Sequence, residues 1–310
     1  MSALARIGWV VLVSAAAFAA AVQPAAAAKK LPDLVIDVAG LRGQEYAFLD
    51  DTSSQIRVKD TTKNDGKKPA PESVTRTYLF PANDIEGDDL KIADRKVPKL
   101  KEKKSDRGQV SGNVEGVDIG AYVVSVCADD DKKIKESNEH NNCTLVPGQG
   151  GNPRKFYVSK RRWNGSVSGI NTIGGGSAQE QWDSLGGELV FQQYARGVFD
   201  YGFAGSVTWR ESGTDGGGCT WSEEGTRAFT ANPNTGVLHL NVDNGTYEGS
   251  FGIDSLFFPI HAQCGEGGFD SQGPKTFYFM ATGPQPVLPD PPSIAGSSTN
   301  QPVSTAWDFR

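Results

Sequence analysis

The chain has 310 residues, a hydrophobic fraction of 37%, 37 glycines, 17 prolines and a formal charge of −6. That length suits two domains of ordinary size, and so glycine-rich and apolar-poor a balance favours many strands and turns over helix bundles. Charge is unevenly divided, with 23 basic against 22 acidic residues from Lys29 to Lys160 and 7 against 15 from Arg161 to Arg310. Neither half therefore offers the basic face that nucleic acid requires.

At the N-terminus, Arg6 precedes an uncharged run from Ile7 to Val22, then Gln23, Pro24 and four alanines ending at Ala28. A basic start, an apolar run and small residues at the cut are the layout of a cleaved secretory signal over residues 1–28. The run is shorter than the roughly 20 residues of a membrane span and Pro24 ends it, so no transmembrane segment is expected after cleavage. The expected location is secreted or periplasmic. No cysteine follows the signal closely enough for a lipid anchor, and Leu288-Pro289-Asp290 has no apolar tail of the kind used for wall sorting.

Four cysteines, Cys127, Cys143, Cys219 and Cys264, in a chain bound for an oxidising compartment read as disulfides. Three connectivities are possible. The first two and the last two fall in different modules, which favours Cys127 with Cys143 and Cys219 with Cys264. A four-thiolate zinc site would need paired cysteines at two-to-four-residue spacing, which these are not.

From residue 31 to about 160 the punctuation predicts a β-sandwich of short alternating runs. Leu34–Val38 is a strand, Ser54–Lys59 alternates through Ile56 and Val58, and Asn64-Asp65-Gly66 is a turn. Alternation resumes over Ser73–Phe80. Ile119–Cys127 is the most apolar strand, and the chain returns through Cys143–Val146 and Phe156–Val158. Lys99, Lys101, Lys103 and Lys104 form a solvated loop. Asn138, Asn141 and Asn142 tolerate positive φ and bond nearby backbone, so they read as holders of a tight turn between Cys127 and Cys143.

The order of these residues resembles a known family. Asp33-Leu34-Val35-Ile36 opens the pattern, Asn64-x-Gly66 precedes a Pro/Ala-rich turn, and Ser73-x-x-x-x-Tyr78-Leu79 follows. Val97-Pro98-x-Leu100, Gly120-x-Tyr122 and Cys127-Ala128-Asp129 come next, and Glu136-Ser137-Asn138-Glu139-x-Asn141-Asn142-Cys143 ends it. This is similar to the bacterial cell-adhesion-related domain, CARDB, over roughly 115 residues; Lys101–Lys104 stands where that family has a glycine turn. The resemblance implies an immunoglobulin-like sandwich in an exported bacterial protein and supplies no catalytic residue.

Two acidic clusters raise the question of calcium. Asp84, Glu86, Asp88 and Asp89 share one loop, and Asp129, Asp130 and Asp131 open another. Calcium wants six to eight oxygens, neither cluster has the alternation of an EF-hand, and Lys132, Lys133 and Lys135 crowd the second. Solvated acidic turns are the expectation, with no cofactor assigned.

Beyond Arg161-Arg162-Trp163, lysines nearly vanish while glycines and aromatics rise, marking a second antiparallel β domain over 163–283, either sandwich or barrel. Strands are expected at Gly187–Tyr194, Phe199–Arg210, Gly218–Thr230, Gly236–Asp243, Thr246–Ile253, Leu256–Cys264 and Lys275–Thr282. Asn244-Gly245 predicts a two-residue type I′ turn. That turn would set Asp243 opposite Thr246, Leu240 opposite Gly249 and Leu238 opposite Phe251, with His239 and Asn241 on the wet face. Trp182, Tyr194, Tyr201, Trp209, Trp221 and Phe229 read as core, with a ligand pocket or sugar-binding surface as the rival. Residues 284–310 hold six prolines and are expected to be an extended tail.

Chemistry finds little purchase. Among His140, His239 and His261 there is no nucleophile elbow, no two-histidine helix motif and no phosphate-cradling loop. A glycosidase would need two carboxylates, for which Glu188, Asp200, Glu211, Glu223 and Glu224 are available without any pattern that pairs them. The expectation is a non-catalytic binding or adhesion protein whose partner is a protein or carbohydrate at a cell surface. The alternatives are a polysaccharide-acting enzyme or a small-molecule carrier built on the second domain.

Overall fold

The computed structural model describes residues 30–85, 89–173, 177–231, 236–300 and 302–310. The expected signal over 1–28 lies outside them. The described chain is almost entirely β, with antiparallel sheets throughout apart from one parallel pair.

The first module packs two sheets face to face. One joins β1 (Leu34–Leu41), β3 (Gln55–Asn64) and β6 (Ser105–Asn113) in the order β1-β3-β6. The other runs β2 (Tyr46–Phe48), β9 (Lys155–Ser159), β7 (Gly120–Ala128), β4 (Ser73–Pro81) and β5 (Leu90–Val97), with β8 (Cys143–Leu145) paired to β7. Alternation does what period two requires: in β3, Ile56 and Val58 are buried while Gln55 and Arg57 face water. They meet Val124, Val126, Phe156 and Val158 from the opposite sheet. The Lys101–Lys104 turn keeps a left-handed residue without a glycine, since Lys103 takes φ 59°. Its N–H donates to Asn64 O at 2.8 Å, and Asn64 N–H donates to Lys104 O at 2.9 Å.

The second module is one long sheet that curls on itself. Its path is β17 (Ile294–Asn300), β18 (Val303–Phe309), β10 (Arg162–Ile173), β11 (Ala178–Ala195) and β12 (Val198–Thr214). Next, β13 (Thr220–Phe229) and β14 (Gly236–Asn241) sit end to end between β12 and β15 (Thr246–Cys264), and β16 (Gly267–Pro286) follows β15. The curl brings β17 and β18 back to β15: Trp307 Nε1 donates to Tyr247 Oη at 3.0 Å, and that hydroxyl donates to Ala295 O at 2.8 Å. Trp163, Trp182, Trp209, Phe203, Phe251, Phe258 and Phe309 fill the interior. Trp182 and Trp209 stack 5.2 Å apart at 7°. β10 makes room for that stack because a Cβ at Gly169 would lie 2.2 Å from the Trp182 ring.

Two expectations fail here. The stretch 284–310 is not an extended tail, since Ile294–Asn300 and Val303–Phe309 form a hairpin whose second strand pairs with β10. Burying Trp307 and Phe309 in the common core is what holds it, so the second domain runs past 283 to the end of β18. The Asn244-Gly245 hairpin also differs. Asn241 pairs with Thr246 and Leu240 with Tyr247, so the loop has four residues. Asn241 Oδ1 accepts the N–H groups of Asp243 and Asn244, and only Gly245 takes positive φ. The register moves by two residues, an even number, so Leu238, Leu240, Val242, Tyr247 and Phe251 still share the buried face.

The modules do not meet as separate beads. Phe48 and Tyr157 of the sandwich belong to the same core as Trp163, Phe199 and Tyr201 of the curled sheet. Tyr201 Oη donates to Lys160 O at 2.6 Å, and Asp50 accepts the N–H groups of Arg161 and Arg162 at 2.6 and 2.9 Å.

Candidate functional site

Both favoured disulfides are formed, Cys127–Cys143 and Cys219–Cys264. Each clamps neighbouring strands, with Cys127 opposite Cys143 in the β7–β8 ladder and Cys219 one step beyond the Thr220/Gln263 pair. Asp130 lies beside Cys127 and Cys143 closely enough to suggest a metal cluster, but both sulfurs are committed to the bond.

The acidic hairpin 129–142 is consumed by its own fold. Asp129 accepts the N–H of Ile134 at 2.8 Å, Asp131 pairs with Arg76, and Tyr78 Oη donates to Asp130. Asn142 Nδ2 donates to Ala128 O and to Glu136, and Asn138 Oδ1 accepts the N–H of His140. In the other acidic loop, Glu86 and Asp88 lie outside the described residues.

The polar feature of the curled sheet is inside it. Register places Asn171, Glu180, Glu211 and Glu223 directly opposite one another on β10, β11, β12 and β13, in one inward row. Glu180, Glu211 and Glu223 each stand two residues from a tryptophan, Trp182, Trp209 and Trp221, so alternation turns them to the face those rings occupy. Lys275 of β16 reaches the row: its Nζ contacts Glu211, lies 2.8 Å from Glu223 Oε2 and 3.8 Å from Glu180 Oε1. Asn171 Nδ2 donates to Glu180 at 2.7 Å and Trp221 Nε1 to Glu211 at 3.1 Å.

Three carboxylates share one ammonium, and their protonation separates accordingly. Burial above all, with the Glu211 charge beside it, pushes Glu223 up to about 7 despite the pull of Lys275. Burial opposes the charge on Glu211 too, but the hydrogen bonds from Lys275 and Trp221 help outweigh it and hold that pKa below the usual range. Glu180 is raised by burial. Glu211 and Glu223, opposite each other in the ladder, are thus pushed apart in acidity, with Glu223 the weaker acid of the two.

Of the carboxylates singled out in the sequence, only Glu211 and Glu223 come together. Glu188 pairs with Arg162, Glu224 with Arg210, and Asp200 with His239 at 2.6 Å on the outer face. His261 Nδ1 lies 2.7 Å from Asp270, and Ser222 stands opposite His261 in the ladder, yet Ser222 makes no hydrogen bond to it and all three are exposed. Trp182, Tyr201 and Trp209 are core, as expected, while Trp221 is partly exposed near the open end of the sheet; the Phe229 side chain lies outside the described residues. Asn171, Glu180 and Lys275 escaped sequence reasoning. The signal available was the tryptophan–glutamate spacing of two.

The CARDB family model matches residues 31–146. A crystal structure of a CARDB domain from Pyrococcus furiosus, in complex with di-metal ions, is 17% identical, with 43% of this chain and 97% of that one covered and a TM-score of 0.29. A solution NMR structure of a CARDB domain from the same organism is also 17% identical, covering 42% and 98%, with a TM-score of 0.28. No curated protein matches the chain. Residues 31–146 are a CARDB domain, and the curled sheet that follows belongs to no recognised family.

Proposed function

We propose that the chain is an exported, non-catalytic binding protein in which the CARDB domain is an interaction or spacer module and the curled sheet carries the ligand, a cell-surface protein or carbohydrate. The layout of residues 1–28 and two disulfides support export.

The observation that carries the non-catalytic reading is the state of Glu211 and Glu223. Glycoside hydrolysis needs two carboxyl groups about 5 to 10 Å apart, with the scissile bond between them. Here they stand opposite each other in adjacent strands, and the ammonium of Lys275 lies against both, in the place a scissile bond would need. A carrier would need an internal cavity, whereas the described interior is packed with the sheet's own aromatic rings.

Arrays of glycans and cell-surface proteins, read beside an assay for reducing-end release, test the proposal. Retention of a glycan or protein with no released sugar is the expected result. Release from any polysaccharide that disappears in Glu223→Gln would overturn it.

A further inference from the structure

A cleft of about 710 Å³ lies at the seam of the two modules, and its walls carry Arg154, Lys155 and Arg196 against the single carboxylate of Glu45. Arg154 reaches Glu45 at 3.5 Å and Lys155 reaches Asp243 at 2.9 Å. Arg196 has no ion-pair partner among the described residues, although the half of the chain it belongs to is strongly acidic.

The backbone under Arg196 is the second observation. Ala195 pairs with Val198, so Arg196 and Gly197 are the whole loop between β11 and β12, with φ of 50° and 85°. This is the type I′ geometry, whose two central positions favour asparagine, aspartate and glycine because other side chains crowd the backbone at positive φ. Gly197 is required where it stands, since a Cβ there would lie 2.9 Å from the Tyr157 ring. Arg196 is not required by the turn, which disfavours it, nor does it neutralise a described carboxylate.

The loop is also fixed in place. Gly197 N–H donates to Tyr194 Oη at 3.0 Å, Tyr194 Oη donates to Glu45 at 3.0 Å, and Val242 N–H donates to Gly197 O at 3.1 Å. These bonds tie the turn to both sides of the seam and fix the backbone from which Arg196 lines the cleft. A left-handed position that brings an arginine with no described ion pair to a pocket between domains is a place to look for a ligand.

Resting on the carbohydrate ligand proposed above, we infer that this seam cleft binds the carboxylate or sulfate of an acidic sugar, with Arg196 as the principal anion contact and Arg154 and Lys155 beside it. A guanidinium grips a planar carboxylate or a sulfate through paired N–H groups. One arginine without a described ion pair, beside two cations already paired with Glu45 and Asp243, suits a single anionic group. A nucleic acid would need a basic track running along the surface, which a single cleft with one unpaired arginine does not supply. The inference is independent of the Glu211–Glu223 pair, which lies inside the sheet.

Calorimetric titration of the full chain at low salt tests it, with oligogalacturonate as the acidic probe, its methyl-esterified form as the neutral one, and sodium sulfate as the free anion. The acidic oligomer binds and sulfate competes; the ester binds at least tenfold more weakly. Arg196→Gly suits the turn better, so it keeps or raises the melting temperature while weakening oligogalacturonate at least tenfold. Absence of binding by the unaltered chain, undiminished binding by Arg196→Gly, or tighter binding of duplex DNA than of oligogalacturonate would each overturn the assignment.

Discussion

Replacing Phe48 by alanine tests whether the two modules are one folding unit. Phe48 is on β2 of the sandwich, yet its ring lies 4.8 Å from Phe191 and 6.0 Å from Phe199 of the curled sheet, and the Arg161 guanidinium sits 4.9 Å over its face. It is buried in the core that also holds Trp163 and Tyr201. Truncating a buried phenylalanine costs about 3–5 kcal/mol through lost transfer energy and the cavity left behind. At roughly 2 °C per kcal/mol for a chain of this size, the melting temperature falls by about 6–10 °C. Scanning calorimetry is the assay. One transition is expected for the unaltered chain, and Phe48→Ala lowers all of it. Two separated transitions, with the variant moving only one, would refute a shared core; so would a loss under about 1 kcal/mol.

Glu223 makes stability depend on pH. Its folded pKa, raised to about 7 from 4.5, means the folded state holds that proton more tightly, so the contribution is full below about 4.5 and lost as pH rises through 7. Urea midpoints of the unaltered chain should fall across that window by more than those of Glu223→Gln; parallel curves would contradict the assignment. Lys275→Met strands three inward carboxylates without their cation, and an unpaired buried charge costs about 3–5 kcal/mol, with denaturant unfolding as the check and the deficit growing as Glu223 deprotonates. Tyr247→Phe removes the hydroxyl that joins Trp307 Nε1 to Ala295 O, and with it two hydrogen bonds of about 0.5–1.5 kcal/mol each; hydrogen exchange in β17 and β18 should accelerate before exchange in β12 does.

Alternation was legible wherever apolar and polar residues took turns. It located β3, β4 and β7, and it assigned faces to the β14–β15 hairpin correctly even though the loop was misjudged. It was silent on β5, β6 and β10, where small, charged or glycine residues leave no apolar stripe. It was misled over 284–310, because six prolines, two of them at the end of β16 and four outside the strands, hid Trp307 and Phe309 on alternate positions of β18. Glu211 and Glu223 were visible as carboxylates, but nothing local shows that positions twelve residues apart will stand opposite each other.

What the sequence determined by itself is therefore what period two and chemistry carry: an all-β chain, a CARDB-type sandwich over its first half, the pairing of four cysteines, and the inward side of most strands. Tertiary structure decided the rest. Only the curl of the sheet brings Lys275 to three glutamates distant in sequence, and only docking of the modules sets Phe48 among the rings of the second core and places Arg196 beside Arg154 and Lys155. Strand pairing between remote segments depends on register and burial summed over the whole fold, which no local window contains.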